Sequence, residues 1–285
     1  MKRGNMLPQT ATRRSERGPF FLFLLCSLVL AFLGTDHKPA AAQMSLEVSP
    51  IRVEHQIQAG VSETNVVEVW NSGTKAARVR VSLEDWTMDQ QGNLKYSRAG
   101  SKAQSLASWL EINPTDFQVG PGERKQIRYT MSIPATARPG SYWVALMVEG
   151  MPPQIGPPAP KKMALHGRFA VCIYNSVGPR EVRGSFKDFQ VHTRQGRPTF
   201  LLTLANQGQY HFRPHKSKVT IRNQQGQQVA SVDVPDAPVL PGLTRDIKWE
   251  AEEVKLAPGQ YVAEARLDIG RREMLVRQVA FSVGR

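Results

Sequence analysis

The feature that most constrains this chain is a series of short β-type segments over almost all of its length beyond residue 42. Residues alternate in polarity, or are β-branched, within runs such as TNVVEVWNSG (64–73) and QYVAEARLDI (260–269). Glycine, proline and asparagine stand between the runs, and helical periodicity is nearly absent. Short strands at near-regular spacing, separated by such turn signals, are typical of β-sandwiches. The sequence therefore predicts an all-β fold.

One turn-and-strand pattern occurs twice, as RPGSYWVALMV (138–148) and APGQYVAEARL (257–267). Two shorter motifs precede it in the same order in each half of the chain. They are Asn-x-Gly at Asn71 and Asn206, and Pro-Gly at Pro121 and Pro241. Because proline fixes φ and glycine permits a chain reversal, each Pro-Gly predicts a turn that leads into a strand. We therefore predict two tandem immunoglobulin-like β-sandwich domains, residues 43–177 and 178–285.

The tyrosines of the repeated pattern, Tyr142 and Tyr261, follow its glycine by two residues. They stand near the start of a penultimate strand, where sandwiches often use a tyrosine to pin a corner of the fold. Ordinary packing within the strand is the alternative.

A proline-rich stretch, EGMPPQIGPPAPKK (149–162), separates two β-type runs and cannot itself form a central strand. It is either a linker between domains or a long loop inside the first domain. We favour the loop because the first sandwich needs one more strand, which KMALHGRFAVCIY (162–174) supplies.

The N-terminal residues 1–42 are predicted to be a secretory signal peptide and not part of the fold. Basic residues up to Arg17 precede an apolar run of fourteen residues from Phe20 to Leu33, and three alanines end at Ala42. A run of this length is shorter than the roughly 20 residues that cross a bilayer, and the order of the regions is that of an export signal. We expect cleavage after Ala42 and export of the remainder; an uncleaved membrane anchor is the alternative.

The chain has two cysteines, and Cys26 lies in the predicted signal peptide. Cys172 would then be the only cysteine of the mature protein, which could form no internal disulfide. It stands in an apolar run, so we expect a small buried hydrophobic residue and not a nucleophile.

The residues beyond the signal peptide carry no pattern that predicts a catalytic nucleophile, a zinc site or a phosphate-binding loop. His211 and His215 are four residues apart, but Pro214 between them favours a polar turn over a metal site. The net charge is +13, yet the basic residues are spread singly over many strands. A solvated basic surface is therefore favoured over nucleic-acid binding. We expect no enzymatic activity, no cofactor and no metal.

The first domain resembles the periplasmic pilus (fimbrial) assembly chaperones, the P-pilus chaperone family. The resemblance lies in LEVSPIRVEH (46–55), VVEVWNSGTKAARVRVSLEDW (66–86), VGPGERKQIRYTMSIP (119–134) and the proline-rich stretch ahead of MALHGRFAVCIY (163–174). It covers about residues 45–175 and is weak beyond them. It implies a periplasmic protein that binds a pilin-like or other incomplete β subunit.

In that family the last strand of the first domain is donated to the subunit, and the resemblance implies such a donor strand here. The residues that share one face of it by a period of two are Met163, Leu165, Phe169, Val171 and Ile173. They would fill the subunit's groove. The alternative is that this face packs the core of the first domain itself.

The family also anchors the subunit's C-terminal carboxylate with two basic residues in the cleft between the domains. Arg52 stands at the position of the first of these. The sequence alignment places Val171 at the second, and the nearest basic residue, Arg168, is three residues away and is expected on the opposite face. An ordinary surface arginine is the alternative for Arg52.

The implied partners are a pilin-like protein subunit and an outer-membrane usher, with no nucleic acid, and the membrane only through the uncleaved signal peptide. The alternative function is a secreted structural or adhesion protein whose basic sandwiches bind an anionic cell wall or surface.

Overall fold

The structure, a computed structural model, describes residues 45–151 and 167–284. The predicted signal peptide lies outside the described residues, as do Met163 and Leu165 of the predicted donor strand. The described chain consists of seventeen strands and one short 3-10 helix, Ala107–Trp109. No helix in these ranges is long and apolar enough to span a membrane. The prediction of an all-β protein with two tandem sandwiches is confirmed.

The first ten strands form the first sandwich, in which two sheets enclose an apolar core. They are β1 (Leu46–Ser49), β2 (Arg52–His55), β3 (Ser62–Asn71), β4 (Ala77–Met88), β5 (Leu94–Arg98), β6 (Leu110–Asn113), β7 (Asp116–Val119), β8 (Arg124–Ser132), β9 (Gly140–Met151) and β10 (Gly167–Val177). One sheet has the order β1-β3-β8-β6. The other has the order β2-β10-β9-β4-β5, with β7 beside the first part of β4. Apolar side chains at alternate positions, such as Val67 and Val69 of β3, point into the core.

The chain changes sheet between β1 and β2. β1 pairs antiparallel with β3, whereas β2 pairs in parallel with the Cys172–Asn175 part of β10. β10 pairs antiparallel with β9 along its whole length. Since β9 ends at Met151 and β10 begins at Gly167, the proline-rich stretch connects two neighbouring strands of the first sandwich and not the two sandwiches.

The remaining strands form the second sandwich around a core of its own. They are β11 (Gly184–Arg194), β12 (Arg197–Asn206), β13 (His215–Asn223), β14 (Gln228–Asp233), β15 (Thr244–Glu250), β16 (Gly259–Asp268) and β17 (Leu275–Val283). Its sheets have the orders β11-β12-β15 and β14-β13-β16-β17. The last strand of the first sandwich ends at Val177 and β11 begins at Gly184. The predicted domain boundary after residue 177 falls at the start of this connection, and it stays a prediction.

The two asparagines of the repeated Asn-x-Gly motif make matching hydrogen bonds in the two sandwiches. The Asn71 Nδ2 group donates to the main-chain oxygens of Lys75 and Val119. Asn206 makes an equivalent pair of bonds, and the carboxamide oxygen of each asparagine accepts from the amide of the glycine two residues later. Both side chains are buried. Each motif therefore ties the end of one strand to its own turn and to a segment far away in the sequence.

The repeated tyrosines also make matching hydrogen bonds. The Tyr142 hydroxyl donates to the main-chain oxygen of Arg138, and the Tyr261 hydroxyl donates to that of Ala257, in each case four residues earlier. A hydroxyl that closes onto the upstream main chain fixes the corner at which the strand begins. Of the two interpretations of these tyrosines, the pinned corner is the one observed.

The outer face of the six-stranded sheet packs against the second sandwich. Trp86, Trp143 and Tyr174 on this face form an apolar cluster with Leu240 of the second sandwich. We call this the inter-sandwich cluster; its other members are Met88, Ala145, Met147, Ala170, Cys172 and Leu243. The sheet is thus buried on both faces where the cluster covers it, so the two sandwiches share apolar surface that neither buries alone.

The turn between β4 and β5 makes a second contact between the sandwiches. The Gln90 side-chain amide donates to both carboxylate oxygens of Asp246, and the Asp246 main-chain N–H donates to the main-chain oxygen of Gln90. Gly92 in this turn has φ of 88°, and a Cβ atom there would lie 2.6 Å from the Arg245 guanidinium. The positive φ favours glycine here, and a side chain would also displace the Arg245 guanidinium. The turn between β4 and β5 therefore docks the first sandwich onto β15.

Candidate partner-binding edge and inter-sandwich cleft

The described part of the predicted donor face points into the first sandwich. Val171 and Ile173 are fully buried in its core, and Phe169 is half-buried against the same core. Met163 and Leu165 lie outside the described residues. The side chains of Val171 and Ile173 therefore hold β10 in its own sandwich, which leaves Phe169 as the described member nearest to the start of the strand.

The outer edge of β10 is only partly paired. β2 covers it over Cys172–Asn175, and no strand in the described part of the chain pairs with this edge over Gly167–Val171. The Cys172 main-chain N–H donates outward to the oxygen of Ile51. Because main-chain groups alternate in direction along a strand, the amides of Arg168 and Ala170 also point to this uncovered edge. We call Gly167–Val171 the free edge of β10.

An exposed apolar side chain, that of Ile51, lies directly before β2 and beside the free edge. Ile51 is 67% exposed, although it lies between two strands that are both paired. Its own main-chain oxygen makes the last hydrogen bond before the free edge begins. Exposed apolar surface therefore adjoins main-chain groups with which no described strand pairs.

Arg52, the first predicted carboxylate anchor, begins β2 and points to the outer face of the sheet. Its Nη1 atom lies 2.8 Å from Oδ2 of Asp236 in the second sandwich, and its Nε atom lies 3.9 Å from Oε1 of Glu54. Its side chain is 42% exposed. Arg52 lies in a cleft between the sandwiches, where its guanidinium faces a carboxylate of the same chain, and its role as a carboxylate anchor stays a prediction.

Arg168, the second predicted anchor, is not beside Arg52. Cys172 is the register partner of Arg52, and Val171 points into the core of the first sandwich. Arg168 lies on the face opposite to that of Val171 and precedes Cys172 by four residues, which is about 13 Å along the strand. It forms ion pairs with Glu84 and with Glu149, the latter at 2.9 Å between Nε and Oε1.

A different arginine lies near Arg52. Arg213 of the second sandwich has its Nε atom 2.8 Å from Glu54 Oε1 and its Nη1 atom 3.5 Å from Asp236 Oδ1. Its guanidinium carbon lies 5.5 Å from the centroid of the Tyr174 ring. We call the four alternating charges Arg52, Glu54, Arg213 and Asp236 the cleft cluster. They line a cavity of about 430 Å³ between the sandwiches.

A buried histidine lies beside the cleft cluster. His211 is 2% exposed, and its ring stacks on that of Tyr174 with 4.6 Å between centroids. Its Nδ1 atom lies 2.9 Å from the Ser141 Oγ, and its Nε2 atom lies 3.5 Å from Glu54 Oε2. The order serine, histidine, carboxylate resembles a nucleophile triad, but Ser141 is also 2% exposed and its Oγ accepts from the His211 main-chain N–H. The arrangement is a contact between sandwiches.

Burial and charge shift the pKa values of this pair in ways that affect stability. The nearby His211 ring, together with Arg213, lowers the pKa of Glu54 from 4.5 to about 2, against the opposing effect of burial. Burial also lowers the pKa of His211, and Glu54 only partly offsets this. The folded protein therefore favours a charged Glu54 and a neutral His211.

We expect the free energy of unfolding to fall in two stages as the pH is lowered. The unfolded state binds a proton at the histidine more readily than the folded state, so stability falls first below pH 6.5. The Glu54 contribution is fully present above pH 4.5 and is lost as the pH falls toward about 2. With a discount for the exposure of Glu54, it amounts to roughly 1–2 kcal/mol.

Urea unfolding of the unaltered protein and of Glu54→Gln between pH 7 and pH 2.5 tests this expectation. The variant should be less stable at pH 7, and its second stage should be smaller by the Glu54 contribution, since Asp89, Asp116 and Glu123, whose pKa values are also lowered, titrate in the same range. An unchanged pH profile in Glu54→Gln would contradict the assignment of that stage to Glu54.

Other candidate sites from the sequence are accounted for by packing. Cys172 is half-buried in the inter-sandwich cluster, where burial raises the pKa of its thiol. His215 lies four residues along the chain from His211 but on strand β13, not in a turn. Within the ranges that the structure describes, no group of three histidine, cysteine or acidic residues is arranged to hold a metal ion.

The known proteins to which this chain is similar are solved structures. No protein-family model and no curated protein sequence matches this chain. A chaperone–tip adhesin complex of CFA/I fimbriae biogenesis is similar in structure, with 13% identity, a TM-score of 0.45, and 82% of this chain and 98% of that chain covered. A class 5 fimbriae chaperone has 12% identity, a TM-score of 0.44 and the same coverage.

A third similar structure is the CsuC–CsuE chaperone–tip adhesion subunit pre-assembly complex of Acinetobacter baumannii. It has 16% identity and a TM-score of 0.40, with 71% of this chain and 89% of that chain covered. Fimbrial chaperones, the family that the first sandwich resembles in sequence, are therefore among the solved structures that this chain resembles.

Proposed function

We propose that this protein is a non-enzymatic, periplasmic chaperone-like protein that binds an incomplete β subunit, meaning a pilin-like or other sandwich protein that lacks one of its strands. The free edge of β10 is the observation that carries the proposal. It offers the main-chain amides of Arg168 and Ala170 to a strand of the partner, and main-chain pairing at a sheet edge is a general route to binding an extended segment.

The side chains of the same strand supply the second part of the proposal. By the period of two, Met163 and Leu165 belong with Phe169 to one apolar face, and we propose that these three fill the subunit's groove. Val171 and Ile173 are left to the core of the first sandwich. The strand would thus be anchored at one end and donated at the other, with Ile51 adding exposed apolar surface beside it.

An uncovered edge of this kind is a liability unless it has a purpose, because it can pair with any other strand. Natural sheets protect such edges with charges, prolines or a covering segment. Two residues before Ala170, β10 carries Arg168, whose amide also points to the free edge. Ion pairs with Glu84 and Glu149 neutralise the charge of this arginine. Within residues 45–151 and 167–284 the free edge is therefore weakly protected, which supports a role in binding a partner strand.

Site-specific photo-crosslinking in the producing cell tests the proposal. A photoreactive phenylalanine derivative replaces Ile51, which is 67% exposed beside the free edge, or, as a control, Val229, which is 44% exposed on β14 of the second sandwich. We expect position 51, and not position 229, to crosslink to a β protein whose own sandwich lacks a strand. If position 51 crosslinks to no protein while the chain sediments with the cell wall, the alternative of a wall-binding structural protein replaces this proposal.

A further inference from the structure

We propose that one outer face of the second sandwich, together with the turn after β16, binds the surface of an anionic phospholipid membrane. The face belongs to the sheet β14-β13-β16-β17, and the turn comprises residues 270–274. We call the two together the arginine–valine face, after Arg222, Arg266, Val262 and Val276. The inference goes beyond the proposed function and does not depend on the free edge of β10, which belongs to the first sandwich.

The side chains of this face point away from the core of the second sandwich. Ile221 of β13 and Ala263 of β16 are fully buried in that core. Because neighbouring residues of a strand point to opposite faces, Arg222 and Val262 point outward, and both are exposed. Four adjacent strands give the face a width of about 15 Å, which suits a planar partner.

Exposed apolar side chains are concentrated on this face. Among the described residues of the second sandwich, four large apolar side chains are exposed, and three of them lie here. Val262 is 38% exposed, Met274 in the turn is 50% exposed, and Val276 is 48% exposed. Covering such apolar surface is favourable, so the face offers a partner more than electrostatic attraction.

An arginine stands directly opposite each of the two exposed valines. Val262 of β16 is the register partner of Arg222 of β13, and Val276 of β17 is that of Arg266 of β16. Opposite residues of an antiparallel pair have Cβ atoms about 5 Å apart. Guanidinium groups bind phosphate through two N–H groups, and apolar side chains enter the layer beneath the phosphates of a bilayer. The two side chains of each pair therefore match two adjoining layers of one surface.

Acidic residues reduce the positive charge of the face but do not reverse it. Asp233 lies 3.5 Å from Lys218, and Glu264 lies 3.7 Å from Arg266. The side chain of Glu264 is 20% exposed and that of Arg266 is 60% exposed, so the guanidinium is the more accessible of the two. Asp268, at the end of β16, lines the cavity between the sandwiches.

Arg222, Arg271 and Arg272 supply positive charge that these acids do not offset. None of the three forms an ion pair with an acidic residue in the part of the chain that the structure describes. Arg222 and Arg271 donate to main-chain oxygens instead. Glu273 is the one acidic residue of the turn. The face as a whole is therefore positive, as attraction to anionic headgroups requires.

Flotation of the exported protein with phospholipid vesicles tests the proposal. We expect binding to vesicles of phosphatidylglycerol and phosphatidylcholine in equal parts, much weaker binding to phosphatidylcholine alone, and loss of binding at high salt. The double variant Arg271→Gln/Arg272→Gln should bind the anionic vesicles about 10- to 30-fold more weakly. Both residues are exposed, so its thermal midpoint should not change.

Arg194→Gln/Arg197→Gln is the matched control. These two arginines are exposed where β11 ends and β12 begins, on the other sheet of the same sandwich. The control makes the same change in net charge and should leave vesicle binding unchanged. Equal loss in the two double variants, or no preference for anionic vesicles, would overturn the proposal.

Val276→Ser separates a lipid surface from a soluble polyanion, because it keeps the charge and removes apolar surface. It should weaken binding to the anionic vesicles about three- to tenfold and leave binding to heparin, a soluble polyanion, unchanged. Undiminished vesicle binding in Val276→Ser would show that charge alone accounts for the binding. That result, or equal weakening toward heparin and vesicles, would contradict a lipid surface as the partner of this face.

Discussion

Ala170→Pro is expected to fold as the unaltered protein does and to bind an incomplete β subunit roughly 10- to 100-fold more weakly. The amide of Ala170 points away from β9 to the free edge, and proline is tolerated in a strand where the missing N–H faces solvent. In the complex, the subunit's carbonyl oxygen opposite residue 170 would be buried without a donor, and the proline ring would hold the partner strand away.

Ala170→Ser is the control for this prediction, because it changes the side chain but keeps the amide. The binding of the subunit identified by crosslinking should be compared for the two variants, alongside thermal unfolding of each free protein. Loss of binding in both variants would assign the effect to the side chain, and undiminished binding in Ala170→Pro would show that the partner does not pair with this edge.

Trp86→Ala is expected to lower the free energy of unfolding by about 3–5 kcal/mol, as large-to-small changes at buried aromatic positions do. Trp86 is 1% exposed and packs edge-on against both Trp143 and Tyr174, at 6.3 and 5.9 Å between ring centroids. All three belong to the inter-sandwich cluster. The variant should therefore also loosen the coupling between the sandwiches and separate their unfolding into two transitions in calorimetry.

Trp86→Phe supplies the comparison for this prediction. The Trp86 indole N–H is buried and has no hydrogen-bond partner in the described part of the chain. Substitution by phenylalanine would therefore reduce only the volume of the side chain. We expect it to lower the free energy of unfolding by less than about 1.5 kcal/mol. A single, equally cooperative transition in Trp86→Ala, with a midpoint close to that of the unaltered protein, would show that the cluster does not join the sandwiches.

The repeated motifs could be interpreted from sequence because each acts locally. Asn71 and Asn206 both end a strand and bind the turn that follows, and Tyr142 and Tyr261 both bond to a residue four positions earlier. Spacing along the chain is enough to detect such units. β11 is harder to predict because its alternation is irregular, as the register shift between Phe186 and Asp188 shows.

The cleft cluster could not be predicted in the same way. Glu54 and Arg213 are separated by 159 residues, and their contact depends on how the two sandwiches pack. The separation of Arg52 and Arg168 along the sheet likewise depends on the register between β2 and β10, which no local pattern reports. The roles of these two arginines as carboxylate anchors stay predictions.

Hydrogen exchange at the Arg168 and Ala170 amides tests the central claim most directly, because these are the groups that the free edge offers to a partner. The measurement compares the free protein with its complex with the crosslinked subunit. We predict that both amides exchange rapidly in the free protein and become strongly protected in the complex, while the β9-facing amide of Val171 is protected in both. If the complex forms and the exchange of Arg168 and Ala170 is unchanged, the subunit does not pair with β10 and the account is contradicted.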